Sequence, residues 1–218
     1  MEYRESPFIV VNWLRKKKTE TEEAQQMAKL LYTLFFGFFA GVLAMILKQE
    51  NLLYNTGFLD GYTLGPIKYL EPDTKKLLIT VFMQRIGIAV LLVILSTTYL
   101  GSMAAYLYEL WSGLAAGILA AGSVIRYGMK GLLLIAGSLL PQQLILVPAF
   151  LLLSVKCCEL CGMMYFQGTS GGFSGRDRGR FLLKKGTGMA GCIILIAVGC
   201  FVEAYINPVI LKFILRLF

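Results

Sequence analysis

The sequence contains no histidine in its 218 residues. Histidine is the usual proton shuttle near neutral pH and the commonest metal ligand, so mechanisms that depend on it are excluded. Charged residues are also scarce, at 16% of the chain against about 25% in soluble domains. Because 57% of the residues are hydrophobic, a single water-soluble globule is excluded as well.

Long apolar runs take up most of the chain instead. A membrane-spanning helix needs about 20 mostly apolar residues. The sequence therefore predicts one all-α domain over residues 1–218, a polytopic membrane helical bundle of five transmembrane helices. The predicted spans are about 30–47, 77–100, 103–125, 132–155 and 187–206.

Loop charges predict the orientation of these spans. With the N-terminus inside, twelve Lys and Arg residues lie on the cytoplasmic side and eight lie outside, which favours a cytoplasmic N-terminus and an external C-terminus. In the cytoplasmic N-terminal segment 1–29, the run Phe8–Leu14 predicts a short interfacial helix, with a disordered basic tail as the alternative. The capping pattern Thr19–Glu22 predicts that the first spanning helix begins near Glu20. Residues 208–218 predict a second interfacial helix at the C-terminus.

Six polar side chains within or near the ends of the spans form a predicted intramembrane polar network. A lone charge in the bilayer is costly, so we expect Arg85 to pair with Glu109 or Glu203. A structural ion pair and a proton or substrate path both remain open. The predicted network consists of Gln84, Arg85, Glu109, Gln142, Gln143 and Glu203.

Three prolines predict helix breaks. Pro141 and Pro148 flank the two glutamines of the fourth span, which predicts a broken or kinked fourth helix. Pro208 predicts the end of the fifth helix, because proline cannot donate to the preceding turn. Broken helices occur around transporter binding sites and also in proteins that transport nothing, so the break alone does not assign a function.

Small residues predict a close helix contact. Gly37 and Gly41 in the first span, and Gly113 and Gly117 in the third, each place small side chains on one helical face, which lets helix backbones approach in lipid. Packing within one chain and a dimer face are both consistent with this pattern, and a homo-oligomer is left open.

The five cysteines predict free thiols, since their number is odd and three lie at the cytoplasmic end of the fourth span. Cys158 and Cys161 have ligand-like spacing, but the chain has neither a second such pair nor a histidine for a tetrahedral site. We therefore predict no metal and no cofactor. The basic loops are explained by membrane orientation, so nucleic-acid binding is not predicted.

Three segments resemble the stage II sporulation protein M family: Ser96–Gly101, Leu139–Ala149 and Phe201–Pro208. The resemblance covers roughly residues 25 to 212, and its most specific part is the closing element with Glu203 and Pro208. Many members have His-Gly after the first proline of the fourth span and Glu before the second. This chain has Gln142-Gln143 and Leu146-Val147 at those places.

The resemblance implies a five-spanning, non-enzymatic membrane scaffold of endospore formation. In that role it would hold two peptidoglycan-degrading partners, stage II sporulation proteins P and D, at the septum during engulfment. It implies a place in the bacterial mother-cell or septal membrane. The outer loop, residues 49–76, and the lipid-embedded faces would contact these partners. Alternatives are a small permease or lipid-handling protein with a polar site around the fourth helix, and a membrane adaptor unrelated to sporulation.

Overall fold

The chain forms five long α-helices in a computed structural model that describes residues 7–48, 74–165 and 175–215. Each helix carries a segment long and apolar enough to cross a membrane, and no strand occurs in those ranges. The predicted all-α polytopic bundle is therefore confirmed. The helices are α1 (Pro7–Leu47), α2 (Thr74–Ser96), α3 (Gly101–Tyr127), α4 (Met129–Tyr165) and α5 (Gly175–Leu215).

The outward faces of the helices are apolar. A helix in hydrocarbon satisfies its own backbone hydrogen bonds, so apolar side chains can face lipid without leaving polar backbone groups unpaired. Large side chains such as Tyr32, Met83 and Trp111 are 73%, 73% and 68% exposed on the isolated chain. In a soluble protein such a surface would be an aggregation hazard, whereas in a bilayer it is the lipid-facing surface.

Helix α4 lies at the centre of the bundle. It contacts all four other helices, while α1 packs mainly on α3 and α2 packs mainly on α5. In the hydrophobic segment of α4, 61% of residues are buried, against 11% to 33% in the other four segments. The main core lies where α4 meets α2 and α5, and it includes Ala89, Leu92, Leu146, Leu153 and Ile196.

Glycines allow the backbones of α1 and α3 to approach each other closely. A Cβ atom added at Gly37 or Gly41 would overlap the carbonyl oxygen of Leu110 or Leu114 on α3. A Cβ added at Gly113 or Gly117 would in turn overlap carbonyls of α1. The two predicted small faces therefore pack against each other within one chain.

Two short connections join α2 to α3 and α3 to α4. Thr97–Leu100 forms the turn between α2 and α3, with the Thr98 hydroxyl donating to the Leu95 carbonyl at 2.7 Å. Gly128 alone separates α3 from α4, and it has a φ of 59°, a left-handed conformation that glycine adopts without steric cost. The predicted second span, 77–100, is thus too long, because its last four residues form this turn.

Both predicted terminal helices are continuous with the neighbouring spans. Helix α1 begins at Pro7, where the fixed φ of proline suits the first helical position, and no glycine or proline follows until Gly37. The prediction that this helix begins near Glu20 is therefore wrong, and the predicted interfacial run Phe8–Leu14 is part of α1 and not a separate helix. Helix α5 likewise continues to Leu215, so the predicted separate helix over residues 208–218 is also wrong.

The helix breaks predicted at the three prolines do not occur, while the alternative of a kink in the fourth helix stays a prediction. Helix α4 runs without interruption through Pro141 and Pro148, and α5 runs through Pro208. Proline removes one backbone hydrogen bond, but ending a helix inside hydrocarbon would expose many more unsatisfied groups. Pro148 is exposed on the outside of α4, so its ring does not disturb the core. The fourth helix is long and continuous, not broken.

The close α1–α3 contact gives a stability prediction. Gly113→Ala should lower the melting temperature of the purified protein in detergent, because the new methyl group meets the backbone of Leu34 and such overpacking costs about 1–3 kcal/mol. Gly191→Ala on α5 is the matched control, since a Cβ there meets nothing within 4 Å. If both variants melt at the same temperature as the parent, the contact does not limit stability.

The charge asymmetry gives a topology prediction. A phosphatase reporter that folds only outside the cytoplasm should be active when fused after Phe218 and inactive when inserted between α4 and α5. This pattern of reporter activity follows from the excess of Lys and Arg in the loops on the side of the membrane where the N-terminus is predicted to lie. The reverse pattern of activity would contradict the predicted orientation.

Candidate functional site

Arg85 and Glu203 form an ion pair between α2 and α5. The Arg85 Nε atom lies 3.5 Å from Glu203 Oε2, and the two side chains are 26% and 15% exposed. Glu203 Oε2 is buried and has no hydrogen-bond partner within the described residues, so the contact is a charge pair and not a formed hydrogen bond. Both groups lie in apolar helices where a lone charge is costly, so each charge favours the presence of the other.

Glu109 makes a second polar contact, between α3 and α4. Its side chain is almost fully buried, and the Ser154 hydroxyl donates to Glu109 Oε1 at 2.9 Å. Tyr108 packs on Phe150 beside this contact, with ring centroids 5.0 Å apart. The aromatic pair therefore covers part of the interface next to the buried carboxyl group.

A small cleft is lined by one residue from each of the two contacts, Arg85 and Glu109. Its walls come from α1, α2, α3 and α4, and Arg85, Glu109 and Gln143 are among the residues that line it. Its volume is about 10 Å³, which is room for about one water molecule. This is far below the roughly 300–1,000 Å³ of typical small-molecule sites. The cleft is also lined by Leu34, Tyr108, Ser112, Leu146, Val147 and Phe150.

The structure brings some residues of the predicted network together and separates others. Arg85 faces Glu203, while Glu109 takes its hydrogen bond from Ser154 and shares only the cleft with Arg85. Gln142 is buried on α4, next to Gln143 at the cleft. Gln84 is exposed on α2. The six residues therefore do not form one continuous cluster.

Sequence reasoning missed Ser154, the donor to Glu109. A signal was present, because Ser154 and Gln143 are eleven residues apart, about three helical turns, and therefore lie on the same face of α4. Tyr108 and Ser112 were also missed, although they flank Glu109 at one and three residues. A search for polar residues that share a helix face with the residues of the predicted network would have found Ser154 and Ser112.

A second group of charges lies towards the C-terminal end of α4. Lys156 Nζ lies 3.5 Å from Glu23 Oε1 on α1 and 3.8 Å from Glu159 Oε2. Nearby, the Cys161 thiol donates to the Thr98 carbonyl oxygen at 3.4 Å. The first part of α1, the α2–α3 turn and the end of α4 therefore meet at one end of the bundle.

The cysteines are buried packing residues. All five are free and buried in α4 and α5, and the Cys157 thiol donates to the Leu92 carbonyl oxygen at 3.7 Å. Among the described residues, no group of three or more His, Cys, Asp or Glu side chains is arranged to hold a metal ion. The Cys157 thiol therefore joins α4 to α2.

Comparison with models of known protein families shows which family this chain is related to. Residues 30–208 match the family model described as stage II sporulation protein M. The chain belongs to this family. The match includes both polar contacts, the hydrophobic segments of α2 to α5 and most of the segment of α1, so the resemblance noted in the sequence is confirmed. Searches of curated proteins and of solved structures found no significant match.

Membership in the stage II sporulation protein M family makes this chain a sporulation-related membrane protein. The last of the three resembling segments, Phe201–Pro208, has a structural role, because its Glu203 is the partner of Arg85. The proline of that segment, Pro208, lies inside α5 and does not end it. The predicted outer loop falls mostly at residues 49–73, which lie outside the described residues.

The Arg85–Glu203 contact gives a prediction about stability. Arg85→Met leaves the Glu203 carboxylate without its counter-charge and should lower the melting temperature. Breaking a fully buried ion pair from one side costs about 3–5 kcal/mol, and the cost here should be smaller because the two side chains are 26% and 15% exposed. The double variant Arg85→Met with Glu203→Gln removes both charges and should regain most of the lost melting temperature in detergent. Equal melting temperatures for the single and double variants would show that the two charges are not coupled.

Proposed function

We propose that this protein is a non-enzymatic membrane scaffold of endospore formation. In this role it holds the septal peptidoglycan hydrolases, stage II sporulation proteins P and D, at the membrane that migrates around the forespore. Bond cleavage is carried out by the partners, and this chain supplies their place in the mother-cell or septal membrane. Membership in the stage II sporulation protein M family supports a role in sporulation.

The observation that carries the scaffold proposal is that the ionisable groups within the spans have partners inside the bundle. Arg85 faces Glu203, and Glu109 accepts the Ser154 hydroxyl. Each contact joins two different helices, α2 to α5 and α3 to α4. Groups engaged in this way hold helices in register, and a register lock is the best-attested use of buried polar pairs. A rigid bundle of this kind supports binding surfaces elsewhere on the protein.

A permease or lipid-handling function is the second candidate, and the cleft is the observation that favours it. Arg85, Glu109 and Gln143 all line this cleft, and intramembrane ionisable residues often mark transport paths. Against it stands the size of the cleft, about 10 Å³, which is far below the roughly 300–1,000 Å³ of typical ligand sites. The scaffold therefore remains the better-supported function.

The test of the scaffold function is co-purification from sporulating cells. Tagged full-length protein, solubilised from membranes at the engulfment stage, should retain stage II sporulation proteins P and D. A tagged five-span membrane protein of unrelated family should retain neither. Deletion of the gene should arrest cells with flat or bulged septal membranes under the microscope. Purification without either hydrolase, together with normal engulfment in the deletion strain, would contradict the scaffold proposal.

The Arg85→Met/Glu203→Gln double variant separates the two candidate functions. If the charges only hold helices together, this folded variant should restore engulfment to the deletion strain. If they line a transport path, the folded variant should fail to restore engulfment, and substrate flux or lipid scrambling in proteoliposomes should be lost. Membrane abundance of the variant, measured by immunoblot, shows whether it has folded.

A further inference from the structure

Helix α2 carries a glutamine on its outward face. Arg85 turns inward to Glu203, whereas its neighbour Gln84 is exposed. Helix α2 is also the least enclosed span, with 11% of its hydrophobic segment buried. Within the described ranges, Gln84 makes no hydrogen bond or ion pair. Its amide therefore faces the surroundings of the bundle.

The depth of Gln84 makes this exposure costly. Gln84 lies nine residues after Lys75, where the span begins, which corresponds to roughly 14 Å along a helix. The hydrocarbon core is about 30 Å thick, so Gln84 lies near the middle of the bilayer, away from headgroups and water. An amide without partners in an apolar medium costs several kcal/mol. A hydrogen-bonding partner at the same depth would remove this cost.

The surface around Gln84 suits a close helix contact. A Cβ atom added at Gly87, three residues on, would meet nothing within 4 Å, so another helix backbone can approach there. The Thr80 hydroxyl, one turn before, is already satisfied by the Lys76 carbonyl oxygen at 2.9 Å. Leu91, two turns after Gln84, is 56% exposed. We call the face formed by Thr80, Gln84, Gly87 and Leu91 the α2 face.

We propose that the α2 face binds the α2 face of a second copy of this chain, with the two Gln84 amides hydrogen-bonded to each other. A primary amide carries both donors and an acceptor, so it is complementary to itself. Two copies inserted in the same orientation are related by a two-fold axis along the membrane normal, which brings identical residues together at the same depth. A second copy thus supplies the required group at the required depth, without any further partner.

The other glycine-lined contact does not compete with this interface. Gly37 and Gly41 already meet the backbone of α3 within the chain, so their face is occupied. Gly87 lies on a different helix and its space is empty. Dimerisation through α2 therefore leaves the fold of each chain unchanged, and it is independent of whether the protein holds hydrolases.

Cysteine cross-linking of the full-length protein in native membranes tests this interface. The five native cysteines are buried, so the parent chain gives the background. On oxidation, Leu91→Cys on the α2 face should give a species of twice the chain mass. Phe82→Cys is the matched control, since Phe82 is also exposed, at 40%, but lies roughly 160° around the helix from Gln84, given 3.6 residues per turn.

Adding Gln84→Leu to Leu91→Cys should weaken dimerisation. Two interhelical hydrogen bonds of typical strength in membrane proteins correspond to roughly a tenfold change in the dimerisation constant. Gln84→Asn keeps the amide and should retain more dimer than Gln84→Leu. Three outcomes would overturn the proposal: equal yields from Leu91→Cys and Phe82→Cys, an adduct of another mass, or a yield that Gln84→Leu leaves unchanged. Membrane abundance of each variant is measured in parallel, so that loss of protein is not taken for loss of contact.

Discussion

The high cost of an unpartnered polar group in hydrocarbon determines which helix faces turn inward in this protein. Water cannot satisfy a buried polar group at the middle of the bilayer, so the group must find its partner on another helix. Arg85 does so with Glu203, and Glu109 does so with Ser154. Apolar contacts alone would fix these rotations weakly, because lipid tails are as apolar as the side chains they would replace.

Close backbone packing holds the helix that these polar contacts do not reach. Helix α1 contributes no residue to either polar pair, yet Gly37 and Gly41 bring it against the carbonyl groups of α3. Without a hydrophobic driving force between helices, such close packing is a main source of association in lipid. At one end, the Lys156–Glu23 contact adds a link between α1 and α4. Helix α4 thus lies between one glycine-packed pair of helices and one charge-linked pair.

The sequence predicts most of this fold because apolar length and loop charge report directly on membrane spans. It does not predict where the helices end. Pro141, Pro148 and Pro208 are strong helix-ending signals in water, but in hydrocarbon the loss of one hydrogen bond is less costly than the loss of a helix. The sequence also does not predict which acidic residue pairs with Arg85, since both Glu109 and Glu203 are suitable partners. Only the lateral order of helices, in which α2 lies against α5, selects Glu203.

Two adjacent residues on α2 face opposite ways: Arg85 contacts Glu203 inside the bundle, and Gln84 is exposed on the outside. Arg85 and Glu203 join α2 to α5, so rotating α2 to bury Gln84 would pull Arg85 away from Glu203. An ion pair inside the bundle costs more to break than an amide costs to expose, because the unpaired groups would both be charged. The ion pair therefore keeps Gln84 on the outward face. It follows that the Arg85–Glu203 contact within the chain also determines which face of α2 is left exposed.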